Sequence, residues 1–407
     1  MSLLPVAEAR QLILDGSSTL PAEIVPLSEA HLRVNADALA AQRTQPPFSS
    51  SAMDGYAVRH ADLALNKSLT VVGEAPAGHG FKSRLLPHQA VRIFTGAPLP
   101  VGADTILIQE DAERAEQAEN TEIRPLEIPQ PGAYVRAAGL DFTLGDVLIP
   151  ARQILRSADM ALLASMNHAK VCVIRKPRIA VLATGDELAM PGSTIGPDQI
   201  VASNNFGIAA RISELGGYPV DLGIAKDTEA DLLDGLKRAQ AEHCDAIITL
   251  GGASVGTHDL VQQAFQSAGL QLAFWKIAMR PGKPLMFGTV GNMVFLGFPG
   301  NPVSSMVCAE LFLAPLMKQW LGLPTTMPFR TARLLEPLPA NDQREDYLRA
   351  VLQETDNSDA LPGVRPLGRQ DSSMLANFAR ADCLIKRPPF APQTDSGSIV
   401  EILPLRH

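Results

Sequence analysis

The chain has 407 residues, of which 46% are hydrophobic and 19% charged, and 43 acidic against 35 basic residues give a net charge of −8. This size and balance predict several globular domains and exclude a general nucleic-acid binder, which needs a basic surface. No run approaches the roughly 18 apolar residues of a membrane span, and no basic segment typical of a secretory signal begins the sequence. The expected location is the cytoplasm.

The four cysteines, Cys172, Cys244, Cys308 and Cys383, are far apart and form no C-x-x-C or Cys/His cluster. This spacing favours reduced, mostly buried thiols over disulfides or zinc ligands.

The N-terminal third of the sequence changes character twice. Residues 5–43 predict helices with a break at residues 16–18, because apolar residues recur at helical spacing on both sides: Val6, Ala9, Leu12, Ile13, then Leu32, Ala36 and Leu39. Residues 48–150 alternate short apolar runs with Gly and Pro, which predicts a β-rich domain. Within it the acidic residues 113–122 predict a solvated loop tip. Residues 156–168 again predict a helix.

From residue 177 the pattern is α/β. Predicted strands at 179–183, 220–224 and 246–250 alternate with predicted helices at 205–215 and 229–241, which indicates a mainly parallel sheet with ligands at the carboxyl ends of its strands. Asn301 as N-cap and Pro302 in the first turn predict a helix that ends near Trp320. Beyond residue 324, short strands at 331–335, 347–352 and 383–386 predict a small β domain.

Four domains are therefore expected. Residues 1–46 with 147–176 form a helical or linker domain, with packing of the N-terminal helix on the α/β domain as an alternative. Residues 47–146 form the β-rich domain, 177–325 the α/β domain and 326–407 the C-terminal β domain.

A glycine-rich segment, GGASVGTHD at residues 251–259, directly follows a predicted strand. Backbone N–H groups at such a helix start favour an anion. The spacing matches neither a Walker A loop nor a dinucleotide fingerprint. Taken alone, the segment leaves open a phosphate site and an ordinary turn in which Asp259 caps the helix.

Three cations, Lys276, Arg280 and Lys283, surround a Pro-Gly turn at residues 281–282. An oxyanion needs several donors held in place, and arginine supplies a fork while lysine supplies a point charge. A solvated basic turn is the alternative, but the prolines at 281 and 284 favour a site. At residues 297–304, GFPGNPVS, the helix start explains Pro302 but explains Pro299 less well unless the backbone approaches a ligand.

Acidic residues stand near turns in several segments: Asp54 in SAMDGYA, Asp141, and Glu187 in TGDEL. Acids from separate segments can hold Mg²⁺ against a phosphate, although Asp-Gly alone is an ordinary turn signal. No Ser/His/Asp order and no HExxH motif is present.

Six segments together resemble the molybdopterin molybdenumtransferase family, which includes the E-domain of gephyrin. They are SAMDGYA (51–57), TGAPLP (95–100), TGDEL (184–188), GGASVG (251–256), PGKP (281–284) and PGNPVS (299–304). The resemblance implies an α/β plus β-rich, multidomain, elongated subunit. Its parts are a three-layer α/β domain like that of molybdopterin adenylyltransferase, a β-rich second domain and a C-terminal β-barrel-like domain.

The implied activity is insertion of molybdate into adenylylated molybdopterin with release of AMP, in the presence of Mg²⁺. The implied assembly is a homodimer in which each active site combines the α/β domain of one subunit with the β-rich domain of its partner. Transient contacts with the molybdopterin adenylyltransferase and with molybdoenzyme maturation proteins are also implied, with neither nucleic acid nor membrane as a partner.

By the same resemblance the catalytic residues are Asp54, Thr95, Asp141 and Glu187, and the three acids among them are the metal ligands. The implied substrate-binding residues lie at the ligand cleft, on its cationic side and in the C-terminal domain: Asp227, Gly251, Gly252, Ser254, Gly256, Asp259, Lys276, Arg280, Lys283, Pro299, Pro302, Arg349 and Ser372.

The sequence departs from the family pattern at several of these sites. Arg280 stands where lysine is common, which keeps the charge but changes its shape. Asp371 and Ser373 flank Ser372 where glycine is common, so a carboxylate adjoins the expected anion site. Ser49-Ser50 replace a frequent Asp-Asn.

Two alternatives to the enzyme remain open. One is a non-catalytic molybdopterin- or nucleotide-binding scaffold protein of the same fold. The other is a regulator that reads nucleotide phosphate at the glycine-rich segment. Because the sequence contains no long linker or appended domain, the enzyme is the favoured expectation.

Overall fold

The computed structural model describes residues 3–116, 121–252, 260–353 and 361–405. Backbone contacts divide the chain into two compact units. The β-rich unit comprises Ile24–His31 and Asn35–Cys172, and the α/β-barrel unit comprises Met1–Glu23, Leu32–Val34 and Val173–His407.

The N-terminal segment forms one helix and then extended chain: α1 (Val6–Asp15), β1 (Ala22–Pro26), a 3-10 turn (Leu27–Glu29) and β2 (Leu39–Ala40). The first predicted helix is confirmed. The second helical stretch, expected through Leu32, Ala36 and Leu39, is wrong. Leu32 adopts a φ of +59°, outside the right-handed helix, and the proline at 26 removes a backbone donor.

The β-rich unit continues with β3 (Ser50–Ser51), β4 (Gly55–Val58), β5 (Leu69–Ala75), β6 (Gln89–Ile93), β7 (Thr105–Ile108), β8 (Ala112–Glu116), β9 (Thr121–Pro125), β10 (Val135–Arg136), β11 (Val147–Ile149), α2 (Ser157–Ser165) and β12 (Lys170–Ile174). Six strands form a sheet in the order β7-β4-β6-β5-β9-β8, in which only β5 and β6 pair in parallel. Alternate residues of its strands enter two apolar clusters, so both faces are covered.

The described residues of the acidic segment, 113–116 and 121–122, lie in strands and not in the loop that its composition indicates, and the predicted tip at 117–120 lies outside the described residues. Strands β8 and β9 pair in antiparallel fashion, with Glu113 opposite Arg124, and these two side chains form an ion pair at 3.7 Å. The described part of the segment therefore belongs to an antiparallel pair at the sheet edge, whose charged side chains discourage pairing with another sheet.

The α/β domain contains β13 (Arg178–Thr184), β14 (Leu188–Ala189), β15 (Ile200–Val201), α3 (Asn204–Glu214), β16 (Tyr218–Ala225), α4 (Glu229–Ala241), β17 (Ala246–Leu250), α5 (Leu260–Ser267), β18 (Leu270–Trp275), β19 (Met279–Arg280), β20 (Met286–Val290), β21 (Met293–Phe298), α6 (Pro302–Cys308), a π-helical turn (Ala309–Leu313) and α7 (Ala314–Trp320). The sheet order is β16-β13-β17-β21-β20-β18, in which β20 runs antiparallel to both of its neighbours, β21 and β18. One core packs α1, α3, α6 and α7 on one face, and a second packs α4 and α5 on the other. The result is the expected three-layer, mainly parallel domain.

The helix predicted from Pro302 to Trp320 is present, but the expected cap is not. The side chain of Asn301 makes no capping hydrogen bond. Its backbone carbonyl instead accepts from the backbone N–H of Ser305 at 3.1 Å. Position 302 is confirmed as the first-turn proline.

The C-terminal domain is a closed barrel of β22 (Arg330–Leu334), β23 (Glu345–Gln353), β24 (Gly363–Pro366), β25 (Cys383–Arg387) and β26 (Ile399–Pro404), with α8 (Leu375–Arg380) beside it. Pairing runs β23-β24-β22-β26-β25 and closes from β25 to β23. Strand β19 of the α/β domain adds to β23 in parallel. The predicted combination of α/β, β-rich and barrel-like domains is therefore confirmed.

The four cysteines are unpaired, and three of them are buried. Burial raises the pKa of Cys244 to about 11 and that of Cys383 to about 12, so both thiols stay protonated at neutral pH. In the described ranges no helix is both long and apolar enough to cross a membrane.

Candidate functional site

The β-rich unit brings Asp54 and Thr95 together. Strands β4 and β6 pair with Gly55 opposite Ile93, which places the residue before β4 beside the loop after β6. The Asp54 carboxylate accepts hydrogen bonds from the Thr95 backbone N–H (2.8 Å) and hydroxyl (2.7 Å). These bonds, helped by the charge of Arg92, hold the pKa of Asp54 below its ordinary value. Asp54 is therefore an oriented, ionised carboxylate.

Arg92 is a neighbour of this pair that the sequence analysis missed. Its guanidinium donates to the Gly55 carbonyl (3.1 Å) and to Gln109 Oε1 (2.7 Å), and it lies over the rings of Tyr56 and Phe94. The sequence contains one indication of this role: apolar residues alternate along β6, and this alternation places the side chain of Arg92 on one face of the sheet. Only the register between β6 and β4 shows which residues Arg92 contacts on that face.

Asp141, the third acid expected in this unit, is exposed. Its backbone N–H donates to the Gln45 carbonyl at 3.0 Å. Its assignment to the metal and reactive site stays a prediction.

At the carboxyl edge of the α/β sheet, three carboxylates lie near one another: Asp186, Glu187 and Asp227, here called the sheet-edge acids. Strands β13 and β16 end side by side, with Thr184 opposite Ala225. The Asp227 backbone N–H donates to Asp186 Oδ1 at 3.3 Å. Burial and then the charges of Asp186 and Glu187 raise the pKa of Asp227. Asp186 was not among the predicted site residues.

The next strand ends in the glycine-rich segment. Gly251 and Gly252 adopt φ values of +109° and +68°, and a Cβ at Gly251 would lie 2.6 Å from the Thr184 carbonyl oxygen. Only glycine allows the backbone to turn this closely against β13. Ser254, Gly256 and Asp259 lie outside the described residues.

The loop before α6 is fixed from three directions. The Ser305 hydroxyl donates to the Pro299 carbonyl (2.6 Å), and the Asn204 side chain donates to the Gly300 carbonyl (2.6 Å). The Val303 N–H donates to the Ser372 carbonyl at 3.1 Å. The last bond joins the start of α6, where Pro302 lies, to the C-terminal domain.

Arg349 on β23 is a cation in the interior of this unit. Its side chain is fully buried, and Nη2 donates to the Arg369 carbonyl at 3.3 Å. Within the described ranges, Nε and Nη1 have no hydrogen-bond partner. Burial lowers the pKa of Arg349, and the nearby charge of Asp371 opposes that shift.

The three cations around the Pro-Gly turn differ in their surroundings. Lys276 Nζ lies 3.9 Å from the centre of the Trp275 ring. Arg280 donates to Asp346. Lys283 is half-buried, and its backbone carbonyl accepts from Ile277 at 3.0 Å. Among the described residues, no three His, Cys, Asp or Glu side chains gather closely enough to hold a metal ion.

Family profiles match three consecutive parts of the chain. The MoeA N-terminal region (domain I and II) matches residues 4–167, the probable molybdopterin binding domain matches residues 180–319, and the MoeA C-terminal region (domain IV) matches residues 331–405.

Whole-length relatives agree with these profiles. A molybdopterin molybdenumtransferase of Nostoc sp. is 36% identical over 393 residues, covering 94% of this chain and 88% of the relative. One of Haemophilus influenzae is 34% identical over 391 residues, covering 95% and 94%. The crystal structure of a molybdopterin biosynthesis MoeA protein from Pyrococcus horikoshii matches all of both chains with a TM-score of 0.83 at 28% identity. The chain therefore belongs to the molybdopterin molybdenumtransferase family, transferases of molybdenum cofactor biosynthesis.

Proposed function

We propose that the chain inserts molybdate into adenylylated molybdopterin with Mg²⁺-dependent release of AMP. The observation that carries the proposal is the buried guanidinium of Arg349, whose Nε and Nη1 find no hydrogen-bond partner among the residues that the structure describes. A buried cation with unpartnered donors is costly unless a ligand of opposite charge completes it. A small oxyanion has the charge and the acceptors to do so, and the family supplies molybdate as the candidate.

The neighbourhood of Arg349 suits a tetrahedral dianion. Ser372 is half-buried and is held at the start of α6 by its bond to Val303. Asp371 adjoins it, but the Asp371 carboxylate accepts from the Ser373 N–H (2.8 Å) and hydroxyl (2.6 Å), which occupies it within its own turn. In the proposal Arg349 supplies a fork and Lys283 a point charge.

The donor chemistry of the sheet-edge acids fits Mg²⁺, which prefers carboxylate oxygens. Desolvation and then repulsion from Asp186 and Glu187 raise the pKa of Asp227, and a divalent cation would relieve the repulsion. Mg²⁺ usually binds through one or two carboxylates together with substrate phosphates and water, so Glu187 and Asp227 are sufficient protein ligands. When bound, the cation supplies polarisation of phosphoryl oxygens.

The residues of the chain then divide the remaining tasks. Lys283 and Arg349 bind molybdate and neutralise its charge, and the glycines at 251 and 252 let the backbone approach the substrate. Asp54, held by Thr95, keeps a fixed negative charge and orientation at the reacting region. Positioning and charge stabilisation supply most of the rate in such a site.

The direct test is AMP release by the purified protein from adenylylated molybdopterin. We expect release that requires both molybdate and Mg²⁺, and no release with either omitted. Sulfate at the same concentration is the control for a non-specific anion effect. AMP release that ignores molybdate, or tight substrate binding without any cleavage, would contradict the proposal and favour a scaffold.

We also propose a homodimer with composite active sites, located in the cytoplasm as the unpaired cysteines favour. Transient contact with the molybdopterin adenylyltransferase and with molybdoenzyme maturation proteins belongs to the same proposal. Support comes from the distribution of candidate acids, since Asp54 and Asp141 lie in one compact unit and Glu187 in the other.

Mixed dimers test the composite site. Asp54→Ala and Glu187→Gln subunits, each inactive alone, are mixed after denaturation and refolding. About a quarter of wild-type activity is expected, because half of random dimers are mixed and each mixed dimer holds one intact site. Mixed dimers that form but stay inactive would contradict the shared arrangement.

A further inference from the structure

The turn that carries Lys283 is tied to the barrel by a row of charges on three neighbouring strands. Strand β19 ends at Arg280, directly before this turn, and pairs with β23 so that Arg280 lies opposite Asp346. Strand β25 pairs with the other side of β23 and places Arg387 opposite the same aspartate. Asp346 therefore lies between two arginines in the cross-strand direction.

The side-chain contacts follow this register. Arg280 Nη2 donates to Asp346 Oδ2, and Arg280 Nη1 lies 4.0 Å from Asp342 Oδ2. Asp342 is in turn held by Arg344, through Nη2 (2.6 Å) and Nε (3.1 Å). The Asp346 side chain is only 3% exposed, whereas that of Arg280 is 48% exposed. Arg280 is thus a surface cation anchored to a buried carboxylate.

This anchoring separates Arg280 from the other candidate cations. Its charge is balanced by Asp346 and approached by Asp342, whereas Arg349 keeps two unpartnered buried nitrogens. If Arg280 moved away, the buried carboxylate of Asp346 would lose this partner, which is energetically costly. The pair therefore keeps its geometry although the Arg280 side chain is half exposed. An anion would have to compete with Asp346 for the Arg280 fork.

The pair also links the two proposed molybdate ligands. Strand β23 carries both Asp346 and, three residues later, Arg349. The backbone supports the link, because the Glu345 N–H donates to the Ala278 carbonyl (2.8 Å) and the Ile277 N–H donates to the Lys283 carbonyl (3.0 Å). Holding Arg280 on β23 therefore holds the Lys283 turn in register with Arg349.

We propose that Arg280 and Asp346 are a positioning pair that sets Lys283 relative to Arg349, and that Arg280 is not itself a ligand of the oxyanion. This inference rests on the proposed function only in the measurement of the molybdate requirement. A direct ligand and a positioning residue respond oppositely to removal of Asp346: freeing Arg280 would help a ligand and would harm a positioning pair.

The test compares Asp346→Asn, Arg280→Met and the double variant in AMP release at varied molybdate. Each single change is expected to raise the half-saturating molybdate concentration about three- to thirtyfold, and the double variant is expected to show no further rise, as in a coupled pair. The limiting turnover should change by less than about threefold. The matched control is Glu401→Gln, which removes a carboxylate from the exposed Lys386 ion pair of the same barrel.

A second readout does not depend on molybdate. In Asp346→Asn and in Arg280→Met, the amides of Ile277 and Glu345 should exchange hydrogen faster than in the wild type and in Glu401→Gln. If Asp346→Asn does not fold, Arg280→Met carries the same readout from an exposed position.

Three results would overturn the inference: an unchanged or lower molybdate requirement in Asp346→Asn while Arg280→Met raises it, no change in either variant, or unchanged exchange of both amides. If wild-type protein releases no AMP at all, the proposed function fails, and the exchange measurement alone decides the positioning pair.

Discussion

The two compact units carry carboxylates in opposite electrostatic settings. In the β-rich unit, Asp54 accepts two hydrogen bonds from Thr95, and its pKa is lowered. In the α/β-barrel unit, Asp227 lies beside Asp186 and Glu187, and desolvation and then their charges raise its pKa. The protein itself supplies donors to Oδ1 of the first carboxylate, whereas no ion pair joins the second group to a cation in the described part of the chain.

This difference supports one of the two groups over the other as the proposed cation site. A carboxylate that accepts hydrogen bonds from N–H and O–H donors, as Oδ1 of Asp54 does, is already stabilised in its charged form. The charges of Asp186 and Glu187 add to desolvation in raising the pKa of Asp227, and an incoming cation would relieve that repulsion. In the proposed function we therefore assign Mg²⁺ to the sheet-edge acids and a fixed charge to Asp54.

The largest expected effect is on turnover in Glu187→Gln. Losing one sheet-edge carboxylate should lower AMP release by about a hundredfold or more, as loss of a charge-stabilising group does. The Mg²⁺ concentration for half-maximal activity should rise, while the melting temperature stays within experimental error because Glu187 is exposed. The matched control is Asp198→Asn, which removes an exposed carboxylate from the same loop region. Normal turnover in Glu187→Gln would contradict the assignment of the cation to the sheet-edge acids.

The next largest effect is expected for Lys283→Ala, which removes a proposed cationic ligand of molybdate. Loss of one charged contact to a partly desolvated oxyanion costs about 1.5–3 kcal/mol. The molybdate requirement should accordingly rise roughly ten- to hundredfold, with a smaller change in binding of the adenylylated pterin measured by calorimetry. Lys237→Ala, an exposed lysine on α4, is the control. An unchanged molybdate requirement would make the turn a solvated basic loop.

A smaller effect is expected for Thr95→Val, which keeps the backbone donor to Asp54 but removes the hydroxyl. The pKa of Asp54 should move up toward its ordinary value, and turnover should fall by about tenfold or less. The acid limb of the pH–rate profile should move to higher pH, because Asp54 then loses its charge sooner on acidification. Thr70→Val on β5 of the same sheet is the control. A profile identical to that of the wild type would mean that Asp54 has no role in activity.

The smallest expected effect is on stability in Asp227→Asn. Because the pKa of Asp227 is raised on folding, the stability it contributes is present at low pH and lost as the pH rises through the folded-state pKa. At neutral pH the variant should thus equal or exceed the wild type in free energy of unfolding, by at most about 0.5 kcal/mol. Urea denaturation across the acidic range measures the difference, which should vanish toward low pH. A less stable variant at neutral pH would show that Asp227 is favourably paired.

Sequence patterns predicted helices and strands well where the hydrophobic periodicity and the residues at the ends of the element indicated the same structure. Helix α4 (Glu229–Ala241) and strand β17 (Ala246–Leu250) have the predicted bounds. Thr228 caps α4 by accepting from the Asp231 N–H at 3.2 Å, and an uninterrupted apolar run marks a strand covered on both faces. The stretch from Leu32 to Leu39 failed because three apolar residues at helical spacing cannot exclude an irregular chain rich in turns.

The sequence by itself determined the order of the domains, the family and the chemical types of the candidate site residues, because each depends on short segments whose residues are adjacent. Only the tertiary structure decided which charges meet. Arg280 and Asp346 are 66 positions apart, and strand register alone places them opposite each other. The buried, unpartnered state of Arg349 likewise depends on packing of the barrel around it. Spacing along a chain contains neither register nor burial, because both arise from contacts between distant segments.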